Sequence, residues 1–352
     1  MRSRFPKNFR HAALRVSAVC FRACMLACKL ACVLACVLAC VASSLISCAP
    51  TAHRHRFTGT AMGCTIDITV DEDDAALARN AARSAQLELD RLDAMLSDWR
   101  KSSELTKLNS ARALRVQASA QLREVLARSI EVAQATDGRF DATIGPLVAL
   151  WRASRKSGVL PNADAVAAAK ERVGSDKVAI DGTMVVRARD DIALDFGGIG
   201  KGFGAVKALE AMRRMGCSRA LVAVAGDIAA GDAPRGEPGW IVVIAPESAN
   251  AQAQTLRAVN QAVSTSGGAE QWIDIDGVRY AHIVDPRTGL GATRVAQVTV
   301  VGPLDCAVDA VATGLALCET DAQVAAIMAK FPTMRARVER DGIARWIASN
   351  GP

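Results

Sequence analysis

From about residue 190 onward the chain alternates short apolar runs with turns rich in glycine and aspartate. That spacing constrains the fold more than any other feature. Residues 192–195, 221–225, 240–244, 262–265 and 298–301 each read as a strand. Antiparallel strands can be joined by tight turns, whereas parallel ones need a crossover of a dozen or more residues. The expected class is therefore α+β: mixed, largely antiparallel sheets with flanking helices. Upstream, residues 65–70 alternate Ile66, Ile68 and Val70 with Thr65, Asp67 and Thr69, the pattern of a half-buried strand. Helices are expected over 74–96, where Ala78, Ala82, Ala85, Leu89, Leu92 and Leu96 recur at three and four, and over 119–135 and 163–173. Two more are expected over 201–215, closed by Gly216, and over 306–318, with Asp305 as N-cap.

The first 47 residues stand apart from this pattern. They carry Arg2, Arg4, Lys7, Arg10, Arg15, Arg22 and Lys29 without an acid, then an apolar run over 30–46, then Ser47-Cys48. This is the layout of a secretory signal peptide, and the Cys after the small residue resembles the lipobox of bacterial lipoproteins. The resemblance implies cleavage before Cys48 and lipidation of Cys48; residues 48–56 read as a polar tether and 57–352 as the folded part, long enough for one large domain or two subdomains. The apolar run is at the short limit for a transmembrane span, about 17–25 residues, so cleavage is the preferred reading. Cys28, Cys32, Cys36 and Cys40, spaced by four, fit a low-complexity hydrophobic leader, because Cys behaves as a small hydrophobe. The chain has 43 basic and 36 acidic residues, and the seven basic residues of the leader account for the whole net charge of +7. The remainder is balanced, which excludes the basic domain of a nucleic-acid binder. Cys64, Cys217, Cys306 and Cys318 form no Cys-x-x-Cys pair, so neither a zinc ribbon nor a thioredoxin-like site is indicated; a disulfide between two of them stays open.

Four segments carry chemistry. Asp309 and Thr313 stand four apart in an otherwise apolar helix, hence on one face. A buried carboxylate there needs a cation or several hydrogen bonds, and oxygen-only ligands suit a hard ion such as Mg2+. Residues 195–204 read Asp-Phe-Gly-Gly-Ile-Gly-Lys-Gly-Phe-Gly. So many glycines before a helix suggest a backbone approach to phosphate, with Lys201 adding a cation. A Rossmann match through Gly200, Gly202 and Ala205, with Asp227 downstream, is weak, and the spacing is not that of a P-loop. Phe140 and Asp141, after the helix closed by Asp137-Gly138, read either as a stacking ring and an acceptor or as a core ring and a turn residue; Gly145-Pro146 begins the next turn. In the tract 280–289, Ile283 and Val284 end a buried strand, and the turn formers Asp285-Pro286 and Thr288-Gly289 present His282, Asp285, Arg287 and Thr288.

Taken in order, these segments resemble the ApbE family of FAD:protein FMN transferases over about residues 57–320. The resemblance rests on Gly59-Thr-Ala-Met-Gly63, residues 96–109 and 138–148, and Leu194-Asp-Phe-Gly-Gly-Ile-Gly-Lys-Gly202. It continues through Ala225-Gly-Asp227, Val263-Ser-Thr-Ser-Gly267, His282-Ile-Val-Asp-Pro-Arg-Thr-Gly289 and Ala307-Val-Asp-Ala-Val-Ala-Thr313. It implies Mg2+-dependent transfer of FMN from FAD to a threonine or serine hydroxyl of a membrane-associated redox subunit, with AMP released. By position it implies FAD contacts at Met62, Trp99, Arg139, Phe140, Asp141 and Lys201. Mg2+ would be held by Gly198, Asp309 and Thr313, and His282 would be catalytic. With the leader, it implies a lipid-anchored enzyme on the periplasmic side of a bacterial envelope membrane, inner or outer. The alternatives are an FAD pyrophosphatase giving FMN and AMP, a non-catalytic flavin-binding lipoprotein, and, from the glycine match, a Rossmann oxidoreductase. Cys64, Trp99, Phe203 and Asp227 stand where the family more often has Thr, Tyr, Tyr and Glu, and Gly267-Gly268-Ala269 is smaller than the family's usual sequence there.

Overall fold

A computed structural model describes residues 54–246, 252–267 and 272–348. The leader, its cysteine repeat and Cys48 lie outside them. The chain opens with β1 (Arg54–Ala61) and β2 (Cys64–Asp71), then α1 (Ala75–Leu96), α2 (Glu104–Ser110), β3 (Arg115–Gln117) and α3 (Ala120–Ala135). There follow α4 (Gly145–Ser157), α5 (Ala163–Lys170), β4 (Val178–Asp181), β5 (Met184–Arg187) and α6 (Gly200–Arg214). Next come β6 (Ala220–Val224), β7 (Asp227–Ala230), β8 (Trp240–Ile244), β9 (Gln254–Ala258) and β10 (Gln261–Ser266), then β11 (Trp272–Ile275), β12 (Val278–Ala281), β13 (Val284–Asp285), β14 (Leu290–Gly291) and β15 (Gln297–Pro303). The chain closes with α7 (Ala307–Ala316), α8 (Asp321–Met328), β16 (Arg335–Arg340) and β17 (Ile343–Ala348).

Eight strands form one sheet in the order β1-β2-β6-β7-β10-β15-β16-β17. Every pairing among the described strands is antiparallel, as the turn spacing implies. Local chemistry sets the joints. Met62 and Gly63 both take positive φ, 54° and 74°, the geometry of a two-residue hairpin that follows the twist of its strands. Asp74, Ser103 and Ser119 cap α1, α2 and α3 by accepting from backbone N–H groups of the first turn.

The sheet is covered differently on its two faces. On one, α1 and α6 bury Ile66, Ile68, Val222 and Val224, and α7 lies over Val298 and Val300. On the other, the β8–β9 hairpin closes over Val263, Val301 and Ile228 with Trp240, Val242 and Ile244. Because side chains alternate along a strand, successive residues of β7, β10 and β15 serve opposite faces.

Three expectations need correction. Residues 192–195 form no strand: Asn109 donates to Leu194 O at 2.8 Å and accepts from Leu194 N, while Arg187 donates to Ile192 O. Side chains thus satisfy the backbone that a neighbouring strand would have paired. Gly145-Pro146 starts α4 rather than a turn, with Pro in the first helical turn, where its missing N–H costs nothing. The sheet begins at Arg54, inside the segment read as tether. The four cysteines past the leader are free thiols. No described helix is long and apolar enough to cross a membrane.

Candidate active site

A cavity of about 730 Å³ opens at the end of the sheet where β7, β10 and β15 meet the Gly-rich segment before α6. On the helix face it is lined by Gly197, Gly198, Lys201, Ser266, Asp309 and Thr313; on the hairpin face by Ile228, Ile244, Val263, Thr265 and Gln297. The cavity therefore wraps around the strand ends, and the Ala225–Gly226 turn between β6 and β7 lies along its wall.

The helix-face half is a charged cluster. Asp309 is buried on α7, one turn before Thr313. Its Oδ2 accepts from Gly202 N at 2.9 Å. Gly202 has to be glycine, because a Cβ would stand 2.6 Å from Asp309 Cβ. Lys201 is ion-paired with the buried Asp227, whose other oxygen accepts from Ser264 Oγ. Burial pushes the Asp309 carboxyl well above the usual carboxylate range, and the neighbouring Asp227 pushes it further than Lys201 pulls it back. The same two carboxylates hold the Lys201 ammonium on its charged side, more than offsetting its own burial. Two carboxylates thus share one ammonium, and Asp309 is the one whose ionised form is disfavoured until a further cation arrives.

Beside Asp309 lies a group of neutral oxygens. Thr313 Oγ1 is 3.3 Å from the Gly198 carbonyl and 3.2 Å from Ser266 Oγ. Gly198 allows this approach, since a Cβ there would meet Thr313 Cγ2 at 3.0 Å. Among the described residues no three His, Cys, Asp or Glu side chains gather into a metal-binding group. A hard divalent ion taking one carboxylate with carbonyl and hydroxyl oxygens fits this donor set and its unbalanced charge.

The other residues singled out by sequence fall around these groups. Phe140 is buried and Trp99 is 76% exposed at the rim, where the Arg152 guanidinium stacks on its ring at 4.2 Å. Arg152 is held in turn by Asp98 and Asp195. Arg139 lines the cavity with a buried Nε that has no hydrogen-bond partner. His282 is exposed and lines the cavity at the approach to the short strand β13. Asp141 touches the cavity, but both its oxygens are engaged, Oδ1 by Thr143 N at 2.8 Å and Oγ1 at 2.7 Å, Oδ2 by Ser175 N at 2.9 Å. It caps the short 3-10 turn Ala142–Ile144 that follows Phe140. Met62 stands off the cavity, its side chain against Gly200 and Gly204 of α6. Asp285, Arg287 and Thr288 lock their own turn: Arg287 pairs with Asp285 at 2.8 Å and Thr288 Oγ1 donates to Asp285 O. Sequence reading missed Ser266 and Arg152 as individual site groups. Strand alternation within the Val263-Ser-Thr-Ser segment puts Ser264 and Ser266 on one face; nothing local marks Arg152.

The sequence model of the ApbE family matches residues 62–337. The chain is 30% identical over 283 residues to the FAD:protein FMN transferase of Klebsiella pneumoniae (strain 342), covering 78% of this chain and 81% of that protein. It is 27% identical over 317 residues to the FAD:protein FMN transferase of Vibrio cholerae (strain O395), covering 87% and 94%. The fold overlays that of the flavin transferase ApbE from Vibrio cholerae with a TM-score of 0.74 at 25% identity, covering 85% of this chain and 98% of that one.

Proposed function

The chain belongs to the ApbE family, and from that premise we propose that it is a flavin transferase: it moves the FMN half of FAD onto a protein acceptor. The observation that carries this reading is the cavity's form, a charged half and an apolar half joined around the end of one sheet. A dinucleotide needs both, the first for its diphosphate and the second for a ring.

In finer detail, the acceptor is a threonine or serine hydroxyl of a membrane-associated redox subunit, and the reaction depends on Mg2+. Asp309, Thr313 and the Gly198 carbonyl would hold the ion, which supplies charge neutralisation and polarises a phosphoryl oxygen when bound. The residues' own tasks follow from their places. Gly197 and Gly198 bring backbone close to the diphosphate at the N-terminus of α6. Lys201 keeps Asp227 neutralised and the cluster in register. Arg139 and Phe140 shape the wall, and Trp99 with Arg152 covers the rim. His282 takes the proton from the acceptor hydroxyl as its oxygen bonds to the FMN phosphorus. The bond between the two phosphates breaks and AMP leaves. Cys48 would be lipidated, holding the enzyme on the periplasmic side of an envelope membrane, where such an acceptor is reached. The leader's charge and apolar run support that placement.

The test is incubation with FAD, Mg2+ and an acceptor carrying a target threonine, read by in-gel flavin fluorescence and by AMP release. Fluorescent acceptor with equimolar AMP is expected. AMP and free FMN without labelled acceptor would establish hydrolysis instead, and FAD bound without AMP would establish a flavin-binding protein. The Rossmann oxidoreductase reading is excluded by the antiparallel sheet, since a βαβ unit needs a parallel pair.

A further inference from the structure

We propose that Gln297 is a specificity-determining residue, accepting an N–H from the edge of the planar base that enters the hairpin-side half of the cavity. The inference rests on the flavin-transferase reading, because a dinucleotide brings two ring systems and this half has the form to take one.

Gln297 opens β15 and shares a face with Thr299 and Val301, the face under the β8–β9 hairpin. It is 9% exposed and lines the cavity. Its Nε2 donates to the Ala245 carbonyl at 2.8 Å, which fixes the sense of the amide. Its Oε1 is buried and has no hydrogen-bond partner. A buried acceptor left in that state is costly and uncommon, and one on a cavity wall is relieved when a ligand brings a donor. The neighbouring hydroxyls of Thr265 and Thr299, hydrogen-bonded to each other at 2.8 Å, make no bond to it. The walls beside Gln297 are Ile228, Ile244 and Val263. Gly267 keeps the end of β10 close without filling the slot, since a Cβ there would stand 3.2 Å from Gln297 Cα.

An apolar slot with a fixed carbonyl oxygen on its wall suits a flat heteroaromatic ring with an N–H on its edge. A phosphate or carboxylate offers no donor and would be repelled. Adenine, through its amino group, and the flavin, through its imide N–H, both have the required chemistry.

The test measures dissociation constants by titration calorimetry for FAD, ADP and FMN, with the wild-type chain and with Gln297→Met. FAD is expected to bind the variant about tenfold more weakly, the fold-change that about 1.4 kcal/mol carries. Only one of the two half-ligands should share that loss: ADP would identify adenine, FMN the flavin ring. On the wild-type chain, an FAD analogue lacking that ring's N–H (purine for adenine, or a 3-methylflavin) should bind about tenfold more weakly, and Gln297→Met should add nothing further. Unchanged FAD affinity in the variant, or equal losses for both half-ligands, would overturn the proposal. So would wild-type indifference to both analogues, a result that needs no variant to fold. If the wild-type chain bound no FAD, the flavin-transferase reading would fall first and this inference with it.

Discussion

The two halves of the cavity are built on opposite principles, although β7 and β10 supply side chains to both. On the helix face, β7 and β10 contribute Asp227, Ser264 and Ser266, and the helices add Lys201, Asp309 and Thr313. On the hairpin face the intervening residues, Ile228, Val263 and Thr265, meet Ile244 and Gln297. One half concentrates charge that its own residues leave unbalanced. The other offers apolar walls and very few polar atoms. The alternation of a strand allows this: one residue's shift in position moves a side chain from one environment to the other. The comparison teaches that charge neutralisation and ring recognition are separable here, so variants can disable one while sparing the other.

The largest effect expected is loss of transfer in Asp309→Ala. Labelling of an acceptor, followed by in-gel fluorescence, should fall on the order of 10³-fold. Whichever half-ligand the hairpin-side slot takes, ADP or FMN, should still bind in a metal-free assay, and loss of that binding would show that the halves are not separable. His282→Ala should slow labelling by about 10²-fold, the lower range for a general base, with FAD affinity measured by calorimetry unchanged. An equal loss in affinity would make His282 a binding residue.

Two further changes probe the charged half through stability. Lys201→Met leaves Asp227 and Asp309 without their shared ammonium. Denaturant titration should show a loss of about 2–4 kcal/mol, less than for a fully buried pair because solvent reaches the ammonium. Adding Asp227→Asn should recover part of it. The smallest effect concerns pH. Asp309 is raised by burial and by Asp227, so between the pKa of an unfolded aspartate, about 4, and its own higher value, the folded state holds a proton that the unfolded state has released. Without metal, this group therefore gains stability for the fold as pH falls from neutral toward that lower limit. Asp309→Asn should remove the dependence, a difference on the order of 1–2 kcal/mol between wild type and variant when pH 7 and pH 5 are compared. A wild-type pH profile parallel to the variant's would place the proton uptake elsewhere.

The sequence and the structure agree best where the determinants are local. Asp309 and Thr313 one turn apart, the glycines before α6 and the helices expected over 74–96 and 119–135 are set by neighbours in the chain, and each is found where the pattern places it. The antiparallel class follows from turn spacing in the same way. The order of the eight strands does not, because β2 pairs with β6 across more than a hundred residues. Residues 192–195 mislead because an apolar run is strand-like until the distant Asn109 and the nearer Arg187 claim its backbone. α4 is hidden because Gly-Pro signals a turn as readily as a helix start. Phe140 and Asp141 divide between the two readings left open: both line the cavity, yet the carboxylate is occupied as a cap. Gln297 shows no local signature, since its place depends on the register of β15 and on Ala245 reaching it from the far hairpin.

The most direct test of the central claim is the rate of flavin transfer to an acceptor threonine as Mg2+ is titrated into chelator-treated wild-type enzyme. A saturable rise from no detectable transfer, absent in Asp309→Ala, is the predicted result. Full transfer in chelator, or the same titration curve in the variant, would contradict it.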